Sequence, residues 1–227
     1  MKEIDILVIT GHPNLIKYYY VAKSNVIENG ESSMMNNSRE KVYLVMELMQ
    51  KSLSNILEAK KIFSYYFLID VIYQIARRMC YLHNINGFHY IIIKLIDFGC
   101  SKINVRKNPK VKETTYIYGT LRYITPEILK STSESTKMCV FEADMYSFAM
   151  TCFKILSSKD LFDGINTKKE LLKKIEKGER PKLPSNCDDL SKLIEECWTL
   201  NPSKRPTFGD ICKRVTTLKK KYLVEID

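Results

Sequence analysis

Between Glu142 and Leu156 the chain reads EADMYSFAMTCFKIL, and its apolar residues leave almost no polar face on a helix. A helix that is hydrophobic all round has to be buried on nearly all sides, so other elements must surround it. The rest of the sequence after residue 48 supplies them. From Ser64 to His83 the apolar positions Leu68, Ile72, Ile75, Met79 and Leu82 recur at three and four residues, which predicts an amphipathic helix. Shorter amphipathic helices follow at Lys168 to Glu176, Asp188 to Trp198 and Phe208 to Leu218. The pattern predicts a largely helical second lobe.

The N-terminal part reads differently. Residues 3 to 10 are apolar with two early acids and look like the end of a helix, broken by Gly11-His12-Pro13. Leu15 to Val21 and Val42 to Glu47, rich in aromatic and β-branched residues, are expected strands. Between them Ser24 to Lys41 has no periodicity and is dominated by Asn, Ser and Glu, as in a loop insertion.

A chain of 227 residues with 45% hydrophobic content can bury a sizeable core. Its longest aliphatic run, Ile91-Ile92-Ile93, is far too short to cross a bilayer, so no membrane span is expected. The acidic Glu3 and Asp5 and the lack of a small-residue cleavage site argue against a secretory signal, so a cytoplasmic location is expected. Seven scattered cysteines without a C-x-x-C pair read as free thiols rather than disulfides or zinc ligands. The formal net charge of +10 is concentrated at Lys102 to Lys112 and Lys213 to Lys221. Neither cluster is interleaved with aromatics as a base-stacking platform requires, so solvated faces or an acidic or phosphorylated partner are expected and nucleic acid is not.

One series of motifs carries more information. The apolar segment Lys94-Leu95-Ile96 ends in Asp97-Phe98-Gly99, followed by Gly119-Thr120 and Thr125-Pro126-Glu127. Asp144-Met145-Tyr146-Ser147-Phe148 comes next, then Cys197-Trp198 and Pro202-Ser203-Lys204-Arg205-Pro206. D-F-G alone recurs by chance, but this ordered series resembles the signature set of the protein kinases. The wording of EADMYSFAMTCFKIL and IEECWTLNPSKRPTF is similar to the tyrosine-kinase-like branch, particularly its plant members, which are mostly serine/threonine-specific.

The resemblance implies an α+β, protein-kinase-like fold. Residues 1–48 would form a reduced N-lobe, with the end of the C helix, the fourth and fifth strands, the hinge and the loop insertion at 24–41. Residues 49–227 would form the helical C-lobe. By position Glu3 matches the C-helix glutamate, Met46 the gatekeeper, and Glu47 to Met49 the hinge that would pair with adenine. Leu7, Tyr18, His89 and Phe98 would stack as the family's regulatory spine, anchored by Asp144. Glu127 and Arg205 resemble its buried ion pair, Gly99 closes D-F-G, and Thr120 follows the activation segment. Cys100 to Tyr118 matches that segment, with Thr114, Thr115 and Tyr116 as candidate phosphoacceptors.

Phosphoryl transfer is mostly positioning and electrostatic neutralisation, so its parts can be audited singly. The eight glycines never fall into a G-x-G. The strand carrying V-A-I-K would precede the C helix, inside which this chain starts, so Glu3 is expected to lack a lysine partner. In H-R-D-L-x-x-x-N the base lies two residues and the metal-binding Asn seven residues after the His. Counting from His89 gives Ile91 and Ile96, a spacing that a deletion between Tyr90 and Ile93 accounts for. No aspartate is then left to take the substrate proton, and Asp97 remains as the single candidate Mg²⁺ ligand.

ATP and Mg²⁺, which the resemblance implies, are therefore expected to bind weakly or not at all. The first reading is a pseudokinase or protein-binding module acting on a partner kinase or client. The alternative is a serine/threonine kinase transferring the ATP γ-phosphate to protein hydroxyls, with this chain an incomplete version of the domain.

Overall fold

The computed structural model describes residues 17–26, 39–59, 62–84, 120–130, 140–185 and 188–224. They belong to two compact units, one holding the strands and reaching Ser52, the other holding the helices from Leu53 onward.

The first unit contains an antiparallel ribbon of β1 (Tyr18–Val26) and β2 (Arg39–Met46). Tyr20 faces Val45 and Ala22 faces Tyr43, with one irregularity between Tyr18 and Tyr20. Such aromatic and β-branched cross-strand pairs are the unit of sheet stability. The ribbon runs further than the apolar pattern predicts, because Ser24 pairs with Lys41, Asn25 with Glu40 and Val26 with Arg39. Both strands carry exposed side chains, among them Tyr19, Tyr20, Val42 and Tyr43. Backbone pairing in such a ribbon does not depend on apolar alternation. The insertion expected over 24–41 thus gives up both ends to the strands, and its centre lies outside the described residues.

In the second unit α1 (Leu53–Glu58) is short and was not expected from periodicity. α2 (Tyr65–Asn84) begins where Ser64 Oγ accepts the Phe67 N–H at 3.2 Å, an N-terminal cap. A single 3₁₀ turn, Leu121–Tyr123, leads into α3 (Pro126–Lys130), with proline at its first position. α4 (Val140–Ser157) is the expected central helix. Met145, Tyr146, Phe148, Ala149, Met150, Cys152, Phe153 and Ile155 are all buried, with α2, α6 (Asp188–Cys197) and both 3₁₀ turns around it.

α5 (Lys168–Glu176) opens with an N-cap: Thr167 Oγ1 accepts the Glu170 N–H at 3.3 Å and donates to Glu170 Oε2 at 2.9 Å. It closes at Gly178, whose φ of +82° favours glycine and whose N–H donates to the Ile175 carbonyl at 3.0 Å. Leu129, Ile165, Leu171 and Ile175 make a satellite core between α3 and α5. A second 3₁₀ turn, Pro202–Lys204, precedes α7 (Phe208–Val224). α7 outruns its predicted end at Leu218 because Lys219 pairs with Asp70 of α2 and Lys221 with Asp189 of α6, holding the last turns down. Among the described residues no helix is long and apolar enough to cross a membrane.

Candidate functional site

Arg205 of the helical unit follows the Pro202–Lys204 turn, and all three of its guanidinium nitrogens donate hydrogen bonds. The turn places it: Asn201 Oδ1 accepts the Ser203 N–H at 3.1 Å and the Arg205 N–H donates to the Pro202 carbonyl at 3.0 Å. Its guanidinium donates through Nη1 to Glu127 Oε1 at 2.7 Å and through Nη2 to Glu127 Oε2 at 3.0 Å. Nη1 also reaches the Glu142 carbonyl at 2.8 Å, and Nε the Thr199 carbonyl at 3.0 Å. The side chain is 0% exposed and lies over the Tyr146 ring, 5.3 Å from its centroid. Burial pushes the Glu127 carboxyl up, but its hydrogen bonds, chiefly from Arg205, outweigh that and hold it below the usual carboxylate range. Burial likewise pushes the Tyr146 phenol up to about 12, so it stays neutral.

This clamp joins the segment that starts at Thr120 to the rest of the unit. Ser147 Oγ of α4 donates to the Tyr123 carbonyl at 2.9 Å, and Arg122 Nη2 donates to the Ile165 carbonyl at 3.0 Å. Thr120 itself is exposed and makes no side-chain cap. Asp144, one turn before Phe148 in α4, meets His83 at the end of α2, with Nε2 and Oδ2 3.0 Å apart. The His83 ring is held between Phe141 and Phe208, at centroid distances of 4.6 and 4.8 Å. His83, Arg122 and Ser147 were not singled out from the sequence. Ser147 sits inside the quoted D-M-Y-S-F run, and His83 ends the periodic helix, but their partners lie far away in sequence.

In the ribbon unit Met46 ends β2 and is half-buried, while Glu47 to Met49 leave the ladder. The Glu47 N–H donates to the Lys17 carbonyl at 2.8 Å and its carboxylate accepts the Lys17 N–H at 2.5 Å, tying the base of the ribbon. Leu48 and Met49 point outward. Tyr18 lies in β1. Glu3, Leu7, His89, Asp97, Phe98, Gly99, Thr114, Thr115 and Tyr116 lie outside the described residues.

Among the described residues no group of three or more His, Cys, Asp or Glu could hold a metal ion. The candidate ligand Asp97 lies outside those residues, and at the position seven after His89, where the family pattern has its metal-binding Asn, this sequence has Ile96. In the basic cluster of α7, Lys219 is half-buried against Asp70, while Arg214 with Glu196 and Lys221 with Asp189 form pairs at the surface.

A family model of the protein kinase domain matches residues 1–216. The chain is 31% identical over 236 residues to a probable LIM domain-containing serine/threonine-protein kinase of Dictyostelium discoideum, covering 96% of this chain and 32% of the relative. It is 26% identical over 259 residues to a light-sensor protein kinase of Ceratodon purpureus, covering 96% and 19%. A serine/threonine/tyrosine-protein kinase of Arabidopsis thaliana is 26% identical over 224 residues, covering 92% and 52%. The chain thus spans about a third or less of the first two relatives.

Proposed function

The chain belongs to the protein kinase family, and from that membership we propose that it works by binding a protein partner, a kinase or its client, rather than by transferring phosphate. The observation that carries this reading is internal to the chain: His89-Tyr90-Ile91-Ile92-Ile93-Lys94-Leu95-Ile96 contains neither Asp nor Asn before Asp97. The family's proton acceptor and second metal ligand both come from this stretch. General-base help is worth about a hundred to ten thousand-fold, and groups that act as a unit are lost together.

The helical unit supports a binding role because its framework does not depend on that loop. The clamp from Arg205 to Glu127 fastens the segment from Thr120 to Lys130, which in the family borders the peptide-binding face. Thr114, Thr115 and Tyr116 are candidate phosphoacceptors by which a partner kinase would regulate the chain.

The same residues frame the second reading, a serine/threonine kinase acting on protein hydroxyls, which the names of the relatives favour. Isothermal titration of the purified chain with ATP and Mg²⁺ separates the two. The binding-module reading expects no heat of saturable nucleotide binding, and micromolar affinity abolished by Asp97→Ala would defeat it.

A further inference from the structure

The faces that α2 and α7 turn toward each other carry a matched pair of thiols. The helices run antiparallel, with Tyr65 against Tyr222 at 5.0 Å, Tyr73 against Lys219 at 4.7 Å and His83 against Phe208 at 4.8 Å. Seven residues on from Tyr73 is Cys80, and seven back from Lys219 is Cys212. Positions seven apart lie on the same stripe of a helix, so these two cysteines stand at one level. His83 and Phe208, one turn further along each helix, close that level.

We propose that Cys80 and Cys212 form a redox site, a dithiol that hydrogen peroxide converts into a disulfide bolting α2 to α7. One thiolate attacks the peroxide, the O–O bond breaks, and the sulfur becomes a sulfenic acid while the departing oxygen takes up a proton as water. The second sulfur then attacks the sulfenic sulfur, the S–O bond breaks, and a second water leaves. The two sulfurs give up two electrons, and the peroxide accepts them.

Position selects this pair. Cys80 and Cys212 are partly exposed, whereas Cys152 and Cys197 are both sealed in the core. Burial and the neighbouring Cys80 push the Cys212 thiol up to about 12, which keeps its thiolate scarce. Once formed, the disulfide closes a loop containing α3 to α6, and a cross-link over so long a loop restricts the unfolded chain strongly. Nothing in this inference depends on whether the chain transfers phosphate.

The test is to treat the reduced full chain with hydrogen peroxide, block remaining thiols, digest without reductant and map the peptides by mass spectrometry. The expected product joins the Cys80 and Cys212 peptides with loss of two hydrogens, and it disappears in Cys212→Ser. The oxidised wild-type chain should also melt higher by on the order of 5 °C, with dithiothreitol reversing the shift. Recovery of Cys80 and Cys212 as separate thiols or sulfinic acids, or joined to Cys100, Cys139 or Cys187, would overturn the proposal. An unchanged or lowered melting temperature of a chain carrying the mapped bridge would overturn the bolt.

Discussion

Arg205 and Glu127, 78 residues apart in sequence, are joined by two parallel hydrogen bonds of 2.7 and 3.0 Å in the interior of the helical unit. Fork-to-fork geometry of this kind suits arginine and no other cation. Removing the guanidinium would leave a partly buried carboxylate without its cation and take one donor from each of the Glu142 and Thr199 carbonyls. Arg205→Ala should therefore cost about 3–5 kcal/mol, and Arg205→Lys should recover only part of it. Urea unfolding followed by circular dichroism measures both, and an alanine variant as stable as wild type would refute the role given to the clamp.

The same pair predicts an acid limb. Glu127 has a folded-state value below its ordinary 4.5, so its contribution is fully present above that value and is lost as pH falls through the folded one. Glu127→Gln should be less stable than wild type at neutral pH, and the gap between them should narrow as pH drops below 4.5. Glu196→Gln should change the profile less, because its partner Arg214 and Glu196 itself are more than a third exposed. Parallel acid curves for wild type and Glu127→Gln would contradict this.

Arg78 of α2 presents the opposite situation. It is 2% exposed, and among the described residues Nε, Nη1 and Nη2 have no hydrogen-bond partner. Burial lowers its value to about 10, so it remains charged at neutral pH. A desolvated, unpaired charge is a liability, and apolar residues of similar volume in such places are often stabilising by about 1–4 kcal/mol. Arg78→Met should raise the melting temperature by several degrees, about 2–4 °C for each kcal/mol. A lower melting temperature would mean that the guanidinium has a partner in solution.

How much of this was legible beforehand depended on range. The central helix declared itself, because Met145 to Leu156 leaves no side for water. The Lys168–Glu176 helix matched to the residue, since its N-cap is local, Thr167 accepting the Glu170 N–H. Strand ends were missed where pairing at Asn25 and Glu40 rests on the backbone, which leaves no trace in side-chain pattern. The link between His83 and Asp144 was hidden for another reason: nothing near either residue announces a partner 61 positions away. Cys80 and Cys212 read as scattered thiols until the antiparallel register of α2 and α7 set them level.

The claim on which the functional account rests is the missing proton acceptor between His89 and Asp97. Incubating the purified chain with radiolabelled ATP, Mg²⁺ and a generic protein substrate tests it directly. The account predicts incorporation no higher than in an Asp97→Ala control; label transfer that the wild-type chain supports and Asp97→Ala abolishes would contradict it.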